Sequence, residues 1–131
     1  MLQIKHTQEF GTGFITASQE LPHAQHVFGT KGDAASKQES GDVVRSYTER
    51  LGGIAHMRQV HGDHIIYAHG PGVYEECDAL YTDHRDLWIA VKTADCVPVL
   101  ISTPYGVGAA HCGWRGLQNG LLPKLLEKMS D

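Results

Sequence analysis

The feature that most constrains this chain is a series of short apolar runs between residues 54 and 111, each stopped by glycine, proline or charged residues. The runs are Ile54–Met57, His64–Ala68, Ala79–Thr82, Leu87–Lys92, Val97–Ser102 and Gly106–His111. They are too short for helices and rich in Val, Ile, Leu and Ala, so they predict strands. Their apolar residues run together rather than alternating with polar ones, which predicts strands covered on both faces. Pro71–Gly72 and Pro104–Tyr105–Gly106 predict turns between them.

The flanks carry a different period. Val43, Val44, Tyr47 and Leu51 recur at helical spacing and predict a helix over 40–51, stopped by Gly52 and Gly53. Ser36 and Glu39 would form a capping box if that helix began earlier. His26–Phe28 reads as a short strand leading into a loop at Gly29–Gly32, and the rest of residues 1–35 shows little pattern. At the carboxyl end, Leu117, Leu121, Leu122, Leu125, Leu126 and Met129 would share one broad helical face. Pro123 suits the first turn of a helix starting near Leu121, with 117–120 as a separate turn. Strands and helices together predict an α/β fold with a mixed sheet and flanking helices. So many apolar strands need more cover than one closing helix supplies. The expectation is a shortened form of a larger domain, either a fragment or a chain whose missing face a partner supplies.

Composition narrows the function. The 131 residues suit one small domain, and 41% apolar residues suffice for a core. Eleven basic against fifteen acidic residues give a net charge of −4, with no basic run, which argues against a nucleic-acid partner. The start, MLQIKHTQEF, lacks the basic and apolar regions of a secretory signal. The apolar stretch from Trp88 to Ile101 is broken by Lys92, Thr93 and Asp95, which argues against a membrane span. A cytoplasmic location is expected. Cys77, Cys96 and Cys112 form no CxxC pair and predict free thiols, Cys77 as a buried one.

Three polar islands interrupt the strands: RQVHG at 58–62, KTADCVPVL at 92–100 and AAHCGWRG at 109–116. They offer His61, Cys96 and His111, separated by 35 and 15 residues. Two imidazoles and a thiolate suit zinc with an open fourth position, and such a set also holds copper. The competing reading makes the histidines satisfied core or turn residues and Cys96 a buried thiol. Asp95 would orient a histidine or cap a turn. Asp78 would bind ligand, orient a metal-binding group, accept a proton, or serve as a turn acceptor at a strand start. Arg115 would bind phosphate or carboxylate, or make a structural salt bridge. Trp114 would stack on a base or pack against the sheet, and its flanking glycines would permit close backbone approach. His64 and His69 would enter the same cleft or stay on the surface.

The ordered set RQVHG, CDALYTD, KTADCVPVL and HCGWRG resembles the laccase-domain family, also called the multicopper polyphenol oxidase-like or peptidoglycan editing factor family. The resemblance runs from about Arg58 to Met129, and HVFGTKGD looks like an altered form of the family's early Gly-rich loop. It implies a mixed-sheet α/β domain, of which residues 1–131 form the N-terminal and central part and the distal part is absent. It implies purine nucleoside phosphorylase activity, with adenosine deamination, on adenosine, inosine or methylthioadenosine. It implies zinc on His61, Cys96 and His111, phosphate on Arg115, and Asp78 and Asp95 as candidate catalytic acids. A multicopper oxidase would need several His-x-His pairs and this sequence has none, so a single metal fits better, zinc first and copper second. The family's upstream Asn- and Arg-containing loop is poorly matched, with Lys31 and Arg45 as weak substitutes, and Cys112 stands where a small residue is usual. The expected partners are a purine nucleoside, phosphate, and a second copy or complementary chain that completes the fold. Two rival readings remain: a noncatalytic metal-binding fragment or subunit of a split enzyme, and a general zinc hydrolase that works without phosphate.

Overall fold

The structure, a computed structural model, describes residues 3–7, 11–16, 24–26, 48, 49, 51–93 and 95–130. The chain forms two compact units, Met1–Gly52 and Gly53–Asp131.

In the first unit, β1 (Gln3–Thr7) pairs antiparallel with β2 (Gly11–Thr16), Gln3 facing Thr16 and Ile4 facing Ile15. No local pattern marks this hairpin in the sequence, because glycines and threonines dilute its apolar residues. Thr48, Glu49 and Leu51 are helical, and Gly52, at φ +89°, donates its N–H to the Thr48 carbonyl. This is the glycine stop expected there. The rest of the 40–51 helix, the Ser36/Glu39 box, Lys31, Arg45 and Val27–Phe28 lie outside the described residues. His26 is buried and not in a strand.

The second unit holds β3 (Ile54–Met57), β4 (Ile65–Tyr67), β5 (Gly72–Tyr74), β6 (Ala79–Thr82), β7 (Trp88–Ile89), β8 (Val97–Thr103), β9 (Gly106–Cys112), α1 (Trp114–Gln118) and α2 (Leu121–Met129). The six predicted strands are all present, Ile54–Met57 and Ala79–Thr82 with the expected bounds. Gly72 opens β5 rather than only turning the chain. Among the described residues the strands form a three-stranded sheet, β5-β3-β7, and a four-stranded mixed sheet, β4-β6-β9-β8. From β3 to β8 the chain alternates between the two sheets. Of the three parallel pairs, β3·β5 and β4·β6 are each joined through one strand of the other sheet, and β3·β7 through the three strands between them. This explains how parallel strands are connected here without the usual crossover helix.

The unit is layered. Ala55, Met57, Ala68, Cys77 and Leu80 pack together, joining β3 to β6. On its other face the four-stranded sheet packs on α2 through Ile65, Ala79, Ala110 and Cys112 against Leu121, Leu125 and Met129. Ala79 and Leu80 of β6 thus serve opposite faces, as the period of two requires of a central strand. The apolar face of α2 is narrower than the sequence suggested: Leu121, Leu125 and Met129 are buried and Leu126 is half exposed, while Leu117, also about half exposed, belongs to α1. Among the described residues no helix is long and apolar enough to cross a membrane.

Candidate metal centre

The register of β6, β8 and β9 brings the polar islands together. β8 and β9 run antiparallel with Val97 opposite Cys112 and Pro98 opposite His111, so the start of β8 and the end of β9 share one sheet end. Cys96 and His111 therefore meet there. On the other side of β9, Ala79 faces Ala110, which sets Asp78 beside His111; the His111 N–H donates to the Asp78 carbonyl at 2.7 Å. His61 arrives on the loop after β3. The donor atoms of His61, Cys96 and His111 all lie within 4.8 Å of one another, and this is the trio that the described residues offer a metal ion. The two imidazoles meet edge to face, their centroids 4.9 Å apart.

This donor set could hold a metal ion, zinc or copper by its chemistry. Zinc–nitrogen and zinc–sulfur bonds of about 2.0–2.3 Å place tetrahedral donors about 3.3–3.7 Å apart, so modest side-chain rotation closes the trio. Burial is graded: His111 is buried, Cys96 half-buried and His61 exposed. The centre is most exposed at His61.

Asp78 organises the centre. It is fully buried. Its Oδ1 accepts the N–H groups of Val60 (3.1 Å) and Gly62 (2.9 Å). Its Oδ2 accepts the N–H of His61 at 3.0 Å and lies 2.7 Å from His111 Nδ1. Burial pushes the carboxyl pKa up. The hydrogen bonds from His111, Gly62, Val60 and His61 more than reverse this and hold it below the ordinary carboxylate value. Three successive N–H groups converging on one anion form a nest. They also hold His61 at φ +61°, a left-handed conformation that a non-glycine residue seldom adopts unaided.

Two further contacts fix the loops and were missed by sequence reasoning. The Gln59 amide pairs with the backbone of Lys92, Nε2 donating to the Lys92 carbonyl at 2.6 Å and Oε1 accepting the Lys92 N–H at 2.9 Å. It ties the RQVHG island to the segment that carries Cys96. Gly116 lets α1 lie against the His61 loop, since a Cβ there would sit 2.8 Å from the Gly62 carbonyl oxygen. The motif letters hint at both, yet an amide or a glycine has no spacing rule that betrays its partner.

The other sequence candidates fall as follows. Asp95 is exposed beside Cys96, with no hydrogen bond or ion pair among the described residues. Arg115 is exposed on α1, its guanidinium 5.2 Å from the Trp114 ring centre, and it makes no salt bridge among the described residues. Trp114 is 71% exposed and does not pack against the sheet. With Val60 (53%) and Val97 (57%), neighbours of His61 and Cys96, it gives three exposed apolar side chains on the segments that form the centre. His64 turns instead to the Glu76 carbonyl and His69 to Tyr74. Cys77 is buried and contacts the Tyr74 carbonyl through its thiol. Burial first, then Asp78 and Glu75, raises the Cys77 thiol pKa to about 11, and burial raises that of Cys112.

An α/β fold with a His/Cys/His centre at a sheet end defines a candidate metalloprotein. Residues 24–131 match the family described as multi-copper polyphenol oxidoreductase laccase, and the chain belongs to that family. It is 31% identical over 114 residues to a purine nucleoside phosphorylase of Rickettsia conorii, covering 83% of this chain and 48% of that protein. It is 36% identical over 105 residues to a purine nucleoside phosphorylase of Corynebacterium glutamicum, covering 75% of this chain and 41% of that protein. The chain thus spans less than half the length of these curated relatives. The crystal structure of Neisseria meningitidis protein NMB0706, of the DUF152 family, matches in fold with a TM-score of 0.59 at 23% identity, over 98% of this chain and 49% of that one.

Proposed function

We propose that this chain carries the metal-binding part of a purine nucleoside phosphorylase, and that residues 1–131 correspond to the N-terminal and central part of one laccase-like domain. The observation that carries this reading is the meeting of His61, Cys96 and His111 within 4.8 Å in a chain whose relatives are named purine nucleoside phosphorylases. Zinc is the favoured occupant, copper the alternative; either would supply Lewis-acid polarisation at the exposed side of the centre. Arg115 neutralises phosphate as its oxygen bonds to the ribose anomeric carbon and the glycosidic bond breaks, the purine leaving with the electron pair and taking up a proton. Trp114, Val60 and Val97 offer apolar surface to the purine. In the accompanying deamination, water adds at adenine C6 and ammonia departs, with Asp95 as the exposed carboxylate able to take the proton. The free thiols suit the reducing cytoplasm.

The test is to incubate the zinc-loaded chain with adenosine, with and without phosphate, and to resolve the products. Adenine and ribose 1-phosphate that appear only with phosphate support phosphorolysis, and inosine supports deamination. Phosphate-independent turnover alone would favour a general zinc hydrolase.

A second reading is favoured by the exposure of Trp114, Val60 and Val97 and by the coverage of under half of the relatives. In it the chain binds metal but needs a second copy or a complementary polypeptide to enclose substrate. Zinc binding without any product, and turnover restored by that polypeptide, would support it.

A further inference from the structure

Sequence reasoning offers Asp78 as a catalytic acid, but the surroundings of its carboxylate suit another task. Three of the four groups facing it are backbone N–H groups, of Val60, His61 and Gly62, which can only donate. Fixed donors on both oxygens favour the acceptor-only carboxylate over a carboxyl, whose one proton could go only to His111 Nδ1. His111 Nδ1, 2.7 Å from Oδ2, must then be the protonated nitrogen of its ring. That leaves the Nε2 lone pair for a metal. The side chain is fully buried, so neither substrate nor solvent reaches it.

We infer that Asp78 is the positioning residue of the metal centre, one carboxylate that fixes both the backbone of the His61 loop and the ring tautomer of His111. This rests on the reading of His61, Cys96 and His111 as metal ligands and is independent of the substrate. Asp78 couples two ligands separated by 50 residues in sequence: the N–H nest sets where His61 begins, and Oδ2 sets which nitrogen His111 presents. It therefore lowers the reorganisation that metal binding would otherwise require, and it takes no part in proton transfer to substrate.

Asp78→Asn isolates this role because it keeps the shape and removes the charge. The amide has one acceptor for the work of two. Turned one way, its NH₂ faces the N–H groups of Val60 and Gly62. Turned the other way, it faces the His61 N–H and drives His111 to accept at Nδ1, which moves the ring proton to Nε2, where the metal binds.

The experiment titrates zinc into the parent, Asp78→Asn and, as control, Asp63→Asn, whose carboxylate pairs with Lys124. Competition with a chromophoric chelator reads the affinity. Nitrogen-15 correlation spectra of the metal-free proteins read the His111 tautomer, which a merely structural role would not move. The expected result is Nδ1–H in the parent, a shift toward Nε2–H in Asp78→Asn, and zinc affinity lower by roughly 10- to 100-fold in that variant alone. Equal affinity in the parent and in folded Asp78→Asn overturns the inference by itself. An Nε2–H tautomer in the parent also overturns it, and that measurement stands even where the variant fails to fold. No zinc binding by the parent overturns the ligand set beneath it.

Discussion

The three cysteines show how surroundings separate identical side chains. Cys96 is half-buried among the ligand atoms, whereas Cys77 and Cys112 are buried in packed layers with their thiols held protonated. The Cys77 shift has a consequence for stability. Its pKa is about 11 in the folded chain against an ordinary 9.0, so between those values the unfolded chain loses the proton and the folded chain keeps it. Stability from this group is full below pH 9 and is lost as pH rises toward 11, in all by roughly 2–3 kcal/mol at 1.36 kcal/mol per unit. The expected outcome is that Cys77→Ala, less stable than the parent at pH 8 through the small cavity it leaves, closes the gap by pH 10.5. Urea unfolding midpoints at both pH values measure this, and a constant gap would reject the assignment.

At the scale of elements, the strands between 54 and 111 were legible because buried strands concentrate Val, Ile, Leu and Ala. The candidate metal ligands were legible because His and Cys stand out within apolar sequence. What stayed hidden depends on register and close approach. Asp78 faces His111 because β6 pairs with β9 in one particular register, and no local pattern encodes that pairing. The β1–β2 hairpin and β5 lack the apolar density that marks strands, and α1 hides in the glycine-flanked GWRG. Gly116 and Gly113 illustrate the difference between a motif and a constraint. A Cβ at 116 would press on the Gly62 carbonyl oxygen at 2.8 Å, whereas one at 113 would make ordinary contacts of 3.6 Å with Cys96 Sγ and His61 Cδ2. Replacing a helical glycine by alanine gains about 1 kcal/mol, and overpacking costs about 1–3 kcal/mol. Gly116→Ala is therefore expected to be the more damaging, losing net stability and displacing the His61 loop, while Gly113→Ala stays within about 0.5 kcal/mol of the parent. Chemical unfolding with zinc titration of both variants would show it, and the reverse order would remove the close-approach argument. Gln59→Leu removes both hydrogen bonds that tie the loop to the part-buried Lys92 backbone. It is expected to cost about 1–3 kcal/mol and to weaken zinc binding, since the His61 loop and the Cys96 segment then move independently. Unaltered zinc affinity in a destabilised variant would restrict Gln59 to a structural role.

For the whole molecule, the arrangement of the candidate ligands would join metal binding to folding. His61 follows β3 of one sheet, and Cys96 and His111 stand at the ends of β8 and β9 of the other. The alternation of the chain between sheets would therefore set a metal bound at this centre across both. The ligands are 35 and 15 residues apart, so an unfolded chain does not hold them near one another, and most of the binding free energy belongs to the folded state. At a free zinc concentration one hundred times the dissociation constant, the folded state gains about 2.7 kcal/mol. For a chain of this size, that corresponds to a rise in Tm on the order of 5–15 °C. Calorimetric scans of the full chain with and without zinc should show this rise, and Cys96→Ala, which removes the sulfur ligand, should show almost none. Asp78→Asn should fall between them. An equal rise in the parent and in Cys96→Ala would mean that zinc binds elsewhere, and the His61, Cys96 and His111 centre would then lose its claim to the metal.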